Sequence, residues 1–298
     1  MSNNNLVAIP AASFAIACAS GGFKAIFVHG VLSAFESVIK ADAYAAASAS
    51  TMPSAWAAIG KARESGMDYW LEGLKVYHET KNMSLVCLAG VDYFNDRGGE
   101  QLFDPDRPNL YIATSKVTTE EAAVQTQGKQ AKRLGKKLLI AAAKGDKPNG
   151  MASLRSWVDK HLELDLFSID GKDDTAIDSD NFAEVAYAST RMLHAWDIPA
   201  WINQQPYIDA SYTCACPAIE MVDRGYESVI AIATETELYR DLFQQEVIPD
   251  RHKGVNISQI KPDINLKELG VDFFKATPEG ISAVYQHGWD KGKKFLKQ

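Results

Sequence analysis

The sequence predicts an α/β protein, a three-layer α/β/α sandwich around a mostly parallel central sheet. Three observations carry this expectation. Short apolar runs alternate with stretches of helical periodicity, the pattern of strands joined by crossover helices. The first two runs, FAIACAS at 14–20 and AYAAAS at 43–48, carry no charge, as strands buried on both faces require. Each then passes directly into a turn of small residues that opens a helix, GGFKA at 21–25 and ASTMPSAW at 49–56.

Taken in order, residues 1–12 read as an N-terminal segment and 13–298 as a single domain. The opening MSNNNLVAIPAASFAIACAS has the apolar-then-small profile of a signal peptide, but it lacks a cationic start and Pro10 interrupts its apolar run. Phe14–Ser20 is therefore read as the first buried strand. IFVHGVLSAFESVIK follows as a helix, with Ile26, Val31, Leu32, Phe35, Val38 and Ile39 on helical spacing. AYAAAS is the second strand, and TMPSAWAAIGKARE a helix with Pro53 in its first turn, where a missing N–H costs least. Further strands are expected at 84–91, 109–114, 205–211 and 228–234, and further helices at 153–163, 181–194 and 216–225. The polar stretches at 143–153 and 170–181 read as surface loops. Residues 66–108 and 118–180, rich in aromatic and charged positions, are expected to shape a pocket entrance.

Composition narrows the function. With 298 residues, 46% hydrophobic and 23% charged, the chain has what a soluble protein needs to bury a full core. A formal charge of −7 and the lack of a dominant basic stripe argue against a nucleic-acid partner and for a small, neutral or apolar substrate. Cys18, Cys87, Cys214 and Cys216 form no CxxC pair and read as reduced thiols, which implies a cytoplasmic location. Cys214 and Cys216, two apart on an expected strand, would point the same way; a zinc half-site is the weaker reading. The acidic loop at 170–180 fails the calcium-loop pattern, lacking glycine at its sixth place and glutamate at its twelfth. Composition leaves the oligomeric state open.

Three short stretches carry chemistry. In AASAS, Ser48 stands at the centre of a turn between a buried strand and a helix, with Ala46 and Ser50 at the two positions where strand and helix crowd each other. That is the layout of a nucleophile elbow; it is equally the layout of a small-residue crossing whose serines cap a helix. Gly21 and Gly22 form a turn whose N–H groups can face negative charge, either an oxyanion or a phosphate. The glycine spacing of a dinucleotide fingerprint is absent, and no GK[ST] follows as a P-loop requires. Asp209 ends a short apolar segment, where a carboxylate can become a general base or serve as a turn former.

Together these stretches resemble the patatin-like phospholipases, acyl hydrolases with a Ser–Asp dyad, in their bacterial form. SGGFKAIFVHGVL resembles the family's glycine-rich turn and its basic residue, including the spacing from Lys24 to Gly30-Val31-Leu32. AASAS stands where the G-x-S-x-G elbow belongs, and YASTRMLHAWDIPAWINQQPYIDAS follows the layout that leads to the family aspartate. The tail LGVDFFKATPEGISAVYQHGWDKGKKFL is also similar, so the likeness runs from about residue 13 to the C-terminus. Family glycines are replaced by Ala25, by Ala46 and Ser50, and by Ala210 and Ser211. These departures change the shell around the chemistry and bear on turnover.

The resemblance implies Ser48 as nucleophile and Asp209 as general base, with backbone N–H groups of Gly21, Gly22, Phe23 and Ala49 holding the oxyanion. Lys24 and Ser50 would support the turns. The implied substrate is a fatty acyl ester or phospholipid, and no metal or organic cofactor is implied. Two alternatives stay open: an α/β-hydrolase triad of Ser48, Asp209 and His287, and a patatin-type fold that binds an acyl ligand or partner without turnover. His29 and His194 read as packing or surface residues. The run Lys129, Lys132, Arg133, Lys136 and Lys137 fits a solvated helix face or a segment resting on an anionic membrane surface.

Overall fold

The computed structural model describes residues 13–143 and 154–297. The expected segment at 1–12, and all but the first residue of the expected loop at 143–153, lie outside the described residues. The described chain contains nine strands: β1 (Phe14–Cys18), β2 (Ala43–Ala47), β3 (Asn109–Val117), β4 (Leu162–Ser168), β5 (Ala200–Ile202), β6 (Gln205–Ile208), β7 (Ser228–Ile232), β8 (Arg251–His252) and β9 (Val255–Ile260). Its helices are α1 (Ile26–Phe35), α2 (Thr51–Ala58), α3 (Ala62–Thr80), α4 (Met83–Asn95), α5 (Glu120–Gln127), α6 (Ala131–Ala143), α7 (Leu154–His161), α8 (Phe182–Thr190), α9 (Ala218–Asp223) and α10 (Pro278–Phe295).

The sheet runs β5-β6-β3-β2-β1-β7-β9-β8, with β4 also pairing to β3. It is mixed, which corrects the mostly parallel sheet expected from the sequence. The parallel part is the central block β3-β2-β1-β7-β9, whereas β4 and β6 on β3, β5 on β6, and β8 on β9 are antiparallel. The hairpins at the two ends have a local cause. Asn203 and Gln204 both take positive φ (50° and 64°), as do Lys253 and Gly254 (47° and 85°), the conformation of two-residue hairpin turns.

Alternation along the central strands separates two cores. Phe14, Ile16, Cys18, Tyr44 and Ala46 join the larger one with α1, α2, α3, α4, α8 and α10. Ala15, Ala17, Ala43, Ala45 and Ala47 face the other way, into a thinner layer that includes α9. Helices thus contribute to both sheet faces, an arrangement consistent with three layers.

Several elements depart from expectation. Residues 84–91 are the middle of α4, not a strand: the Asn82 side chain accepts from the Ser84 and Leu85 amides and starts a helix there. The helix expected over 51–64 breaks at Gly60, whose φ is +72°, into α2 and α3. Cys214 and Cys216 lie in the turn ahead of α9 rather than on a strand, and burial raises both thiol pKa values. Leu162–Ser168 forms a strand where none was expected, although LELDLF alternates cleanly.

One packing contact fixes the helical layer. α1 and α10 approach closely because Gly30 lies against the Tyr285 carbonyl and Gly288 against the Phe27 carbonyl, where a Cβ on either glycine would strike the facing oxygen. Among the described residues, no helix is long and apolar enough to cross a membrane.

Candidate active site

Ser48 follows β2 directly and takes φ of +54°, the left-handed region that few side chains other than glycine adopt. Holding a non-glycine residue there costs about 1–3 kcal/mol, a strain found where surrounding structure over-determines a functional turn. The surroundings here are specific. The Ser48 N–H donates to Ser189 Oγ of α8 at 2.9 Å, and Ser50 Oγ donates to the Ala19 carbonyl at 2.5 Å, tying the elbow to the end of β1. A single 3-10 turn, Ser48–Ser50, then leads into α2. The strand-turn-helix elbow expected at Ser48 is therefore present, with Ser50 in a supporting place.

Asp209 follows β6 and is completely buried. Its Oδ2 accepts from Ser48 Oγ at 2.7 Å, while Oδ1 accepts from the Ser211 N–H at 2.8 Å and from Ser211 Oγ at 2.5 Å. The backbone is pinned as well: its N–H donates to the Arg191 carbonyl at 3.0 Å, and Ser115 Oγ donates to its carbonyl at 2.8 Å. Burial pushes the carboxyl pKa up to about 6 against the opposing hydrogen bonds from Ser211 and Ser48. Asp209 is thus more basic than an ordinary aspartate while still ionised at neutral pH, and it sits within proton-transfer distance of a hydroxyl.

The histidines stand elsewhere. His287 packs on Phe27, with ring centroids 5.4 Å apart, and its Nε2 accepts from the Asp263 N–H at 3.4 Å. Since Ser48 and Ser211 take the two oxygens of Asp209, the geometry is a dyad without a histidine relay. His29 accepts from Trp70 Nε1 at Nδ1, so its Nε2 carries the proton and donates to the Ala62 carbonyl at 2.8 Å. Burial lowers its pKa to about 4, which makes it a neutral packing residue. The ring of His194 packs 4.8 Å from that of Phe274.

The glycine turn brings only part of the expected oxyanion set together. Gly22 and Ala49 line the same cavity as Ser48. Phe23 also lines it, but its N–H donates to the Phe273 carbonyl at 3.1 Å and is not free for an oxyanion. Gly21 borders a different hollow, beside Thr234. The Phe23 assignment is corrected on the ground of that hydrogen bond. The turn is braced from two sides. At Gly22, φ is +56° and a Cβ would strike the Phe273 carbonyl oxygen. On the other side, Lys24, itself buried, pairs with Glu235 at 2.5 Å.

The cavity at Ser48 is narrow, about 50 Å3, and mostly apolar; Met52, Trp70, Cys87, Val91 and Trp196 are among its walls. Residues 66–108 supply much of it through α3 and α4, as expected, whereas the described residues of 118–180 supply none of its lining. Ser189 and Ser211 were not anticipated as parts of the site. The signal for Ser211 was its place two residues after Asp209, the spacing at which an aspartate side chain caps its own turn. No protein-family model matches the chain, and a search of curated proteins returns no match.

Proposed function

We propose that this chain is a serine acyl hydrolase of patatin type that cleaves carboxylic esters through an acyl-serine intermediate. The observation that carries the reading is the 2.7 Å hydrogen bond from Ser48 Oγ, on a left-handed elbow, to a buried Asp209 with raised basicity, at the wall of an apolar cavity. In the first half-reaction Ser48 Oγ attacks the ester carbonyl as its proton passes to Asp209 Oδ2. The carbonyl oxygen becomes an oxyanion facing the Gly22 amide, in the turn ahead of α1, and the Ala49 amide, in the turn ahead of α2. Collapse breaks the bond to the alcohol, which leaves with the proton from Asp209. Water then adds to the acyl-serine, again giving its proton to Asp209, and Ser48 regains that proton as the acid departs. The small cavity seats a short acyl group as it stands, and a fatty chain requires α3 and α4 to part.

A second reading, acyl binding without turnover, draws support from the Phe23 amide, which is engaged by Phe273 rather than free. A fluorophosphonate probe with peptide mapping separates the two. The hydrolase reading expects labelling confined to Ser48, lost in Asp209→Asn and retained in His287→Ala. Folded wild-type protein that leaves Ser48 unlabelled overturns it in favour of binding.

A further inference from the structure

The helix α6 presents a face that the hydrolase chemistry does not use. From Ala122 to Ala143 there is no acidic residue, while Lys129, Lys132, Arg133, Lys136 and Lys137 stand among them in a chain whose formal charge is −7. None of these five cations forms an ion pair among the described residues. The helix buries Ala131, Gly135 and Leu138 and turns the opposite stripe outward. At 100° per residue, the centre of that outward stripe falls at Ile140, with Arg133 and Lys136 on either side of it. Ile140 is 55% exposed, and Val124 on the preceding helix is 69% exposed.

The stripe also has a fixed relation to the cavity. Gly135 packs against Leu193 and the His194 amide, so closely that a Cβ there would lie 2.5 Å from the amide nitrogen. Thr190 and Trp196, on either side of that contact in sequence, line the cavity at Ser48. The cationic helix is therefore held on the segment that forms one cavity wall.

We propose that the outward face of α6 is a docking surface for an anionic lipid bilayer, with the cations at headgroup level and Ile140 entering the boundary with the acyl region. A purely electrostatic partner such as a polyphosphate chain would gain nothing from an exposed isoleucine at the centre of the cationic stripe. A bilayer uses both features. The proposal rests on this surface and not on turnover.

Sedimentation with large unilamellar vesicles tests it on the full chain. Phosphatidylcholine vesicles containing about a third phosphatidylglycerol should carry the protein down at low salt, and pure phosphatidylcholine vesicles should not. Each lysine or arginine at the surface is worth about a fivefold change in partitioning. Replacing Lys132, Arg133, Lys136 and Lys137 together by Gln should therefore lower binding by roughly two orders of magnitude or more. A control replacing Lys75, Lys253, Lys261 and Lys267 by Gln makes the same change in net charge and should bind like wild type. Ile140→Ser should weaken binding with all charges intact. Thermal unfolding of each variant establishes that it is folded. Wild type that ignores anionic vesicles, or α6 and control variants that lose binding equally, overturns the proposal. Full binding by Ile140→Ser with displacement by heparin would also overturn it, in favour of a general polyanion surface.

Discussion

The raised pKa of Asp209 has a thermodynamic consequence that one substitution reads out. Moving a carboxyl from 3.8 to about 6 corresponds to about 3 kcal/mol of preference for the neutral form in the folded protein. The native chain thus holds this proton more tightly than the unfolded chain does. The resulting stabilisation is fully present below about pH 4 and is lost as pH rises through about 6. At pH 8 the folded protein carries a buried carboxylate at that cost. Asparagine fits the same bonds: its oxygen at the Oδ1 position accepts from the Ser211 N–H and Oγ, and its amide donates to Ser48 Oγ in place of the bond now running the other way. Asp209→Asn should therefore remove the charge penalty while abolishing the base. Allowing for weaker neutral hydrogen bonds, the variant should be about 1–3 kcal/mol more stable than wild type at pH 8. That advantage should shrink by about 2 kcal/mol at pH 4.5, where the wild-type carboxyl is already protonated. Urea unfolding followed by tryptophan fluorescence at the two pH values measures both quantities, and ester hydrolysis by the same sample should fall to background. A variant less stable than wild type at pH 8, or a stability difference independent of pH, refutes the account of Asp209 as a buried base.

Three further outcomes are expected. Ser211→Ala removes a donor that favours the ionised form of Asp209, whose pKa burial pushes up to about 6, so the acid limb expected in a kcat/KM profile should lie about 1–2 pH units higher in the variant than in wild type. Comparing Ser48→Gly with Ser48→Ala isolates the backbone strain: both should lack activity, and the glycine variant should be about 1 kcal/mol more stable by chemical denaturation because its φ needs no Cβ accommodation. A Cβ on Gly90 would come 2.8 Å from the Tyr69 hydroxyl in the cavity wall. Gly90→Val should therefore cut turnover of octanoyl esters at least tenfold relative to acetyl esters in a p-nitrophenyl ester series.

The parts of the site visible in the sequence were those whose chemistry sits at a strand end. Ser48 and Asp209 each close an apolar run, and the small residues around Ser48 announce a tight crossing. Ser189 was not legible, because its role in holding the Ser48 amide comes from α8 packing over the elbow from 141 residues away. The Phe23 amide was assigned to the oxyanion for a related reason, since the carbonyl that takes it belongs to Phe273. SLVCLAGV shows the limit of short apolar runs: eight residues serve a buried strand or a helix equally, and the Asn82 cap decides it. The central parallel strands followed from their uniform apolarity. The antiparallel ends depend on hairpin turns at Asn203-Gln204 and Lys253-Gly254, where Gln and Lys carry little intrinsic turn signal.

The bracing of the glycine turn sets the order in which a working site can come into being. Its hold on Phe273, and the seating of α10 on α1 through Gly30 and Gly288, join the first strand-turn-helix unit to residues that follow the last strand of the sheet. Such long-range contacts close late, after the intervening chain has been made. A nascent chain that already carries Ser48 and Asp209 therefore still lacks the wall against which an oxyanion would form. On the proposed hydrolase reading, a competent site would form only once α10 has docked on α1.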